Sequence, residues 1–143
     1  MTSAANDLRA AAATGILVKD GPYGTAIQNL GLTAGDYAGD IPSNHDQKGN
    51  NDILNLTRPD AIAGICKRYI AAGAHLLATN TFNANRISQA DYGMEDRVRE
   101  INLAAARIMR ECVDEAIAAD GIPRWVAGSL GPTNKTLSLS PRV

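Results

Sequence analysis

Residues 74–85 read Ala-His-Leu-Leu-Ala-Thr-Asn-Thr-Phe-Asn-Ala-Asn, and this stretch decides the fold. Its apolar run at residues 76–79 is too short for a helix and lies between two helical patterns, so we predict a buried strand there. The segment then becomes polar, with Asn80 and Thr81 directly after the run. Sites of α/β proteins lie at the carboxyl ends of parallel strands, so a binding site is expected here. A polar turn that caps the next helix is the alternative interpretation.

Two further short apolar runs are also followed directly by turn-forming and polar residues. Residues 16–19, Ile-Leu-Val-Lys, are followed by Asp20 and a Gly-Pro-Tyr-Gly turn that begins at Gly21. Residues 125–130, Trp-Val-Ala-Gly-Ser-Leu, lead into Gly-Pro-Thr-Asn at residues 131–134. Glycines that bracket a proline predict a tight turn, which lets the backbone approach a ligand. Three such strand ends favour a site over three unrelated helix caps.

Helical patterns separate these runs. Residues 3–14 are rich in Ala and predict a short leading helix, and apolar residues at steps of three and four predict longer helices at 57–73 and 95–119. Cys66 and Cys112 lie within the two apolar stripes, so both are predicted to be core residues. The order strand, helix, strand, helix, strand places all three polar clusters on one edge of a parallel sheet.

The segment between the first and second predicted helices, residues 31–57, is rich in Gly and Asn and is interpreted as a long functional loop. Thr57 is predicted to cap the following helix, with Pro59 in its first turn. The spacing of the three aspartates in the loop does not fit a calcium loop, so they are interpreted as solvated: Asp36, Asp40 and Asp46. The turn after Asp20 also lacks the third glycine of a dinucleotide-binding fingerprint.

Composition narrows the function classes. The chain has 143 residues, 45% hydrophobic residues and a net charge of −1, which describes an ordinary globular domain. A charge near zero gives no electrostatic reason to expect nucleic acid or a membrane as a partner. Two cysteines provide no disulfide framework, and no apolar run approaches the ~18 residues of a membrane span. Cytoplasmic localisation is therefore expected.

Six segments occur together in an order and spacing that resemble a known family: residues 16–25, 49–52, 78–83, 90–95, 100–106 and 126–134. They resemble the N-terminal homocysteine-binding module of the cobalamin-dependent methionine synthase family. The resemblance implies an α/β fold that is the N-terminal part, about three strands, of a (β/α)8 TIM-type barrel. It also implies that residues 1–143 form a partial homocysteine-binding domain, truncated before the strands that carry zinc ligands.

The resemblance implies transfer of a methyl group from methylcobalamin to the homocysteine thiol, which gives methionine. The complete enzyme uses zinc and cobalamin, and its partners are homocysteine and the methylcobalamin- and folate-binding modules of the same longer chain. In the family, three cysteine thiolates hold the zinc, which deprotonates the substrate thiol. Cys66 and Cys112 match none of these positions. We therefore expect this fragment to bind no cofactor, to contain no catalytic residue and to be inactive alone.

The resemblance also indicates substrate-binding residues. Asp20 matches the acid that faces the homocysteine amino group, and Gly21 matches the neighbour whose backbone approaches the substrate. The remaining candidates lie in the second and third strand-end motifs: Asn80, Thr81, Thr133 and Asn134. These last two motifs could instead only hold loops in shape. Ala78 stands where many relatives carry Glu.

Two other functions stay open at this point. One is a zinc-dependent homocysteine S-methyltransferase that takes its methyl group from S-methylmethionine or betaine. The segments Gly-Asn-Asn-Asp at 49–52 and Gly-Pro-Thr-Asn-Lys-Thr at 131–136 favour the cobalamin enzyme over it. The other is a non-catalytic half-barrel that acts only by assembling with another chain.

Overall fold

A small parallel sheet lies among the helices of the computed structural model, which describes residues 4–133 and 135. Strand β1 (Leu76–Ala78) pairs in parallel with β2 (Trp125–Ala127), and Leu77 lies opposite Val126. Strand β1 matches the predicted run at 76–79, and β2 is shorter than the predicted 125–130. Strand β1 ends directly before the polar residues that begin at Thr79, whereas three residues separate the end of β2 from Gly131.

The first predicted strand, at residues 16–19, is formed only at its end. Lys19 makes a single parallel bridge to Leu76 on the free side of β1. The carbonyl oxygen of Val18 accepts the N–H groups of His75 and Leu76, and the Asp20 N–H donates to the Leu76 carbonyl. Backbone pairing thus begins at Val18, and Ile16 is 92% exposed. The order along the sheet is residues 18–20, then β1, then β2, all parallel.

Two long helices cover the sheet and supply half of the buried apolar residues. Helix α5 (Pro59–Ala71) and helix α7 (Val98–Asp120) contact each other, and both contact β1. Their apolar stripes are buried as predicted, with Cys66 and Cys112 inside them. Helix α7 is preceded by a 3-10 turn (Glu95–Arg97) and ends at Gly121, whose φ of 70° is left-handed. These helices hold the strand ends in place.

The prediction of a long loop at residues 31–57 is correct only for residues 39–50, which form no helix or strand. The rest of the segment 31–57 contains helix α3 (Ala34–Ala38), a 3-10 turn (Asn51–Ile53) and helix α4 (Leu54–Thr57). Each is six residues or fewer, which is too short to give a helical periodicity in the sequence. Ile53 and Leu54 are fully buried, so the end of this segment belongs to the core.

The capping role predicted for Thr57 is also wrong. Thr57 is the last residue of α4, and Arg58 occupies the capping position of α5. The buried Thr57 hydroxyl has no hydrogen-bond partner among the described residues. Pro59 does begin α5. Asp36 is not simply solvated, because it closes a capping box with Thr33 and forms an ion pair with Arg58. Arg58 therefore links α3 to the start of α5.

The remaining helical elements are short or lie at the surface. None of the described helices is long and apolar enough to cross a membrane. Helix α1 (Ala4–Thr14) has no buried residue, so the predicted leading helix exists but is little packed. The other elements are α2 (Tyr23–Gln28), α6 (Arg86–Gln89) and a 3-10 turn (Ala90–Tyr92). Helix α2 follows the Gly-Pro turn and contacts α5.

Candidate functional site

A cleft of about 380 Å³ opens at the carboxyl end of the sheet. Its walls come from four segments, the turn after Lys19, the 3-10 turn at Asn51, the end of β1 and the segment after β2. The lining residues are Lys19, Gly21, Pro22, Tyr23, Gly24, Asn51, Asp52, Ala78, Thr79, Asn80, Phe82, Asn83 and Ser129. The structure therefore brings together the strand ends that the sequence pattern singled out.

Asp20 lies beside this cleft with a completely buried side chain. Its Oδ2 accepts the backbone N–H of Ala78 at 2.7 Å, and its Oδ1 pairs with Lys19 Nζ at 2.7 Å. The first contact ties the first strand end to the end of β1. The Lys19 side chain is 59% exposed, so this ion pair can exchange with solvent or with another cation. Asp20 thus combines a structural contact with a replaceable one.

Gly21 lines the cleft, and its lack of a side chain has a local cause. A Cβ at this position would come within 2.9 Å of the ring of Tyr69, whose hydroxyl donates to the Pro22 carbonyl at 3.1 Å. Tyr69 belongs to α5, so the turn after Asp20 is packed directly against that helix. At Gly21 the backbone therefore lies close to an aromatic ring and also borders the open cleft.

Asn80 and Thr81 have different positions. Asn80 lines the cleft, is 5% exposed and donates through Nδ2 to the Asn51 carbonyl at 2.7 Å. Thr81 does not line it; its hydroxyl lies 2.6 Å from that of Thr79 and donates to the Ser129 carbonyl at 2.8 Å. The Ser129 N–H in turn donates to the Thr79 hydroxyl. Thr81 therefore ties the end of β1 to the segment after β2.

Of the last two candidates, Thr133 does not line the cleft. Thr133 is exposed and lies on a neighbouring depression with Phe82, Asn83 and Tyr92. The two depressions share Phe82 and Asn83, so they are adjacent. Asn134 lies outside the described residues. Thr133 is therefore a weaker candidate for substrate binding than Asn80, which lines the cleft.

Asp52 is a cleft residue that the sequence analysis did not select. It is 2% exposed, and its Oδ1 accepts the Asn83 N–H at 2.9 Å. Burial raises the pKa of the Asp52 carboxyl to about 6, because desolvation disfavours the charged form. The only signal was its place in the Gly-Asn-Asn-Asp segment, which was used for the resemblance but not assigned a role.

Amide side chains hold the Asp52 turn against the strand end. Asn55 donates through Nδ2 to the carbonyls of Asp52 and Asn80, at 2.8 and 2.7 Å. Tyr37 donates its hydroxyl to Asn51 Oδ1 at 3.1 Å. Since a buried polar group is stable only when its hydrogen bonds are made, these contacts fix the backbone around the cleft. The Oδ1 atom of Asn55 is itself buried and has no hydrogen-bond partner in the part of the chain that the structure describes.

The two cysteines do not form a metal site with other described residues. Within residues 4–133 and 135, no group of three or more His, Cys, Asp or Glu side chains is placed to hold a metal ion. Cys66 and Cys112 are buried between α5 and α7, and burial raises both thiol pKa values, that of Cys66 to about 12. Zinc binds the thiolate, so protonated core thiols are unsuited to it.

Two solved structures of the homocysteine methyltransferase MmuM from Escherichia coli are similar to this chain in fold. The metallated form has 21% identity and a TM-score of 0.68, over 87% of this chain and 41% of the other. The oxidized form has 22% identity and a TM-score of 0.64, over 82% and 37%. The chain thus spans about two fifths of the length of these proteins.

A model of the homocysteine S-methyltransferase family matches residues 17–142, which is most of the chain. The matched range begins just before Asp20 and includes β1, β2 and every residue that lines the cleft. By this match, the chain belongs to the homocysteine S-methyltransferase family.

Proposed function

We propose that this chain supplies the first part of the homocysteine-binding site of a methyltransferase. One observation carries the proposal. The cleft lies at the carboxyl end of a parallel sheet, where α/β enzymes bind substrates, and the family match covers all of its walls. Fold alone does not assign an activity, so the residues of the cleft must carry it.

We propose that the reaction is methyl transfer from methylcobalamin to the homocysteine thiol, giving methionine. The cobalamin- and folate-binding modules would belong to the same longer chain, which would work in the cytoplasm. The sequence segments 49–52 and 131–136, which resemble the cobalamin-dependent family, support this methyl donor. The fragment itself is expected to be inactive.

The proposed domain is the first part of a (β/α)8 barrel, with residues 1–143 as a partial homocysteine-binding domain. Three parallel segments in chain order, each followed by a helix-containing connection or a polar end, are compatible with the start of such a barrel. The similarity to about two fifths of each MmuM chain supports the same proposal.

Within this site, Asp20 is proposed to accept the ammonium group of homocysteine, with Lys19 moving away. The backbone at Gly21 and the amide of Asn80 are proposed to border the same substrate, since both line the cleft. Thr81 would act by positioning the end of β1. Thr133 and Asn134 are also proposed as substrate-binding residues, with Thr133 on the neighbouring depression.

The described residues do not fit the metal of the family. In that family, zinc bound by cysteine thiolates deprotonates the substrate thiol. The two cysteine thiols here are buried and protonated, and they belong to no group of three potential ligands among the described residues. We therefore assign no step of the reaction to a metal held by residues 4–133 and 135. The donors would have to lie in residues outside this range.

A second candidate is a homocysteine methyltransferase that uses a small donor such as S-methylmethionine or betaine. The fold similarity to MmuM, a homocysteine methyltransferase, favours keeping it. A non-catalytic half-barrel that assembles with another chain is the remaining alternative.

The test is a methyl-transfer assay on the natural full-length protein that carries this sequence. Homocysteine is supplied with methylcobalamin, S-methylmethionine or betaine in separate reactions, and methionine is measured. Methionine formed from methylcobalamin alone supports the first proposal, and formation from a small donor supports the second. If homocysteine binds but no donor gives methionine, the catalytic proposals are wrong and the half-barrel remains.

A further inference from the structure

Lys19 supplies the positive charge of the cleft. Lys19 and Asp52 are the charged residues among the described ones that line it, so Lys19 is its only cation within that part of the chain. The Lys19 side chain is 59% exposed, so a molecule in the cleft can contact its ammonium group. Lys19 Nζ lies 2.7 Å from Asp20 Oδ1, which places this cation directly beside the acid at the first strand end.

The Lys19 ammonium group has more hydrogen-bond donors than its described partners use. An ammonium group carries three N–H donors. Lys19 Nζ has two described acceptors, Asp20 Oδ1 at 2.7 Å and the Asp20 carbonyl oxygen at 3.4 Å, and the second distance is long for a hydrogen bond. No other ion pair among residues 4–133 and 135 includes Lys19. At least one donor is therefore left for an anionic group in the cleft.

We propose that Lys19 binds the α-carboxylate of the amino acid in the cleft while Asp20 accepts its ammonium group, so that Lys19 determines specificity. The proposal rests on the proposed homocysteine-binding function. An α-amino acid carries its two charged groups on one carbon atom, so their partners must also lie side by side, as Lys19 Nζ and Asp20 Oδ1 do. A charge-assisted hydrogen bond is stronger than a neutral one. Lys19 thereby selects amino acids over amines that lack a carboxylate.

Binding requires an exchange of partners but no rearrangement of the fold. The substrate ammonium group replaces Lys19 Nζ at Asp20 Oδ1, and Nζ moves to the substrate carboxylate. The existing ion pair opposes this exchange only weakly, because the lysine is more than half exposed. Asp20 Oδ2 keeps the Ala78 N–H throughout, so the contact between the two strand ends is maintained.

The competing role for Lys19 is that of a counterion for Asp20 alone. In that role Lys19 competes with the substrate ammonium group, so its removal would strengthen the binding of every amine by the same factor. A carboxylate contact predicts a different result, because only ligands that carry a carboxylate would lose a partner. The ratio of the affinities for two amines, one with and one without a carboxylate, therefore separates the two roles.

The experiment measures by calorimetry how the natural full-length protein binds homocysteine and 3-aminopropanethiol, which keeps the amino and thiol groups but lacks the carboxylate. The variants are Lys19→Met, which removes the charge, and the control Lys48→Met, whose side chain is exposed and does not line the cleft. In Lys19→Met, the ratio of homocysteine affinity to 3-aminopropanethiol affinity should fall about tenfold, as expected for the loss of one charge-assisted hydrogen bond. Lys48→Met should leave both affinities unchanged.

A second pair of variants covers the case in which Lys19→Met does not fold because Asp20 loses its cation. Asp20→Asn removes the charge that needs a counterion and keeps a side-chain oxygen for the Ala78 N–H. Lys19→Met in this background should still lower homocysteine affinity about tenfold and change 3-aminopropanethiol affinity by less than about threefold. Titrations followed by NMR measure these weaker affinities.

Each result decides between the proposals. An unchanged affinity ratio in Lys19→Met, or in the Asp20→Asn background if the single variant does not fold, overturns the carboxylate contact. Homocysteine binding by the wild type would then still support the proposed function. Failure of the wild type to bind homocysteine overturns both proposals. A selective loss of homocysteine affinity on removal of the Lys19 charge supports the carboxylate contact.

Discussion

Asp20 and Asp52 are both buried acids at one cleft, and the difference between them lies in what compensates their charge. Asp20 has a cation and an N–H, so its carboxylate is satisfied within the chain. Asp52 has only backbone N–H groups beside it, among them that of Asn83, and burial raises its pKa to about 6. A motif in the sequence points to Asp20, but only the packed structure reveals Asp52.

Asp20→Ala is expected to weaken homocysteine binding by at least tenfold and to destabilise the fold. Truncation of one partner of a desolvated charge pair costs about 2–5 kcal/mol of binding. It also leaves the buried Ala78 N–H without its acceptor, which costs about 1–3 kcal/mol of unfolding free energy. Calorimetry and chemical denaturation measure the two effects. Lys19→Ala serves as the comparison, because it removes only the cation and keeps the contact between Asp20 and the Ala78 N–H. Unchanged homocysteine affinity in Asp20→Ala would remove Asp20 from the site.

Asp52 should make the stability of the protein depend on pH in an unusual direction. Its native pKa of about 6 lies above the unfolded value near 3.8, so the folded state holds the proton more tightly. Stability therefore falls as pH rises from about 4 to about 6, by up to about 3 kcal/mol at 1.36 kcal/mol per pKa unit. Asp52→Asn should lose this dependence, as measured by denaturation at each pH. Parallel pH curves for the variant and the wild type would contradict it.

At the scale of elements, β1 and α7 show what sequence pattern can predict. Leu77 is fully buried in a run too short for a helix, and Ile101 and Met109 recur on one stripe, so both elements follow from periodicity. Helices α3 and α4 do not, because four or five residues contain too few turns to repeat an apolar position. The sequence predicts the part of the cleft that the strand ends form. It does not predict the wall at residues 51–52, because that wall belongs to one of these short elements.

The packing of α5 against α7 buries the two thiols and raises their pKa values. Both lie in the contact between these helices, where burial keeps them protonated. We therefore expect the isolated chain to retain no stoichiometric zinc after treatment with a chelator, as measured by metal analysis. A Cys66→Ala, Cys112→Ala double variant should show the same low zinc content. Zinc that survives chelation in the wild type and disappears in the double variant would refute the assignment of these thiols to the core.

At the scale of the whole molecule, the sheet leaves apolar surface open. Among the described residues, β2 pairs on one side only, and Ile16 and Leu130 are 92% and 88% exposed. Val18 and Phe82 are also about half exposed, on segments that border the sheet and its cleft. Exposed apolar residues near unpaired strand edges are typical association sites.

The isolated 143-residue chain is accordingly expected to self-associate or to be only marginally folded. Sedimentation velocity should show species larger than a monomer that grow with concentration, or thermal unfolding should lack a cooperative transition. Ile16→Lys together with Leu130→Lys should reduce the association, because both side chains are exposed and their replacement removes no core contact. A sharp monomer peak with cooperative unfolding in the unmodified chain would be the opposite result.

The most direct measurement is hydrogen exchange of the natural full-length protein with and without saturating homocysteine. If the cleft binds the substrate, backbone amides at residues 20–24, 51–52 and 78–83 should exchange more slowly when homocysteine is present. Amides of α1, which has no buried residue and does not line the cleft, should exchange at the same rate in both samples. Protection confined to other segments, or no protection at any of these three, would contradict a homocysteine site at this end of the sheet.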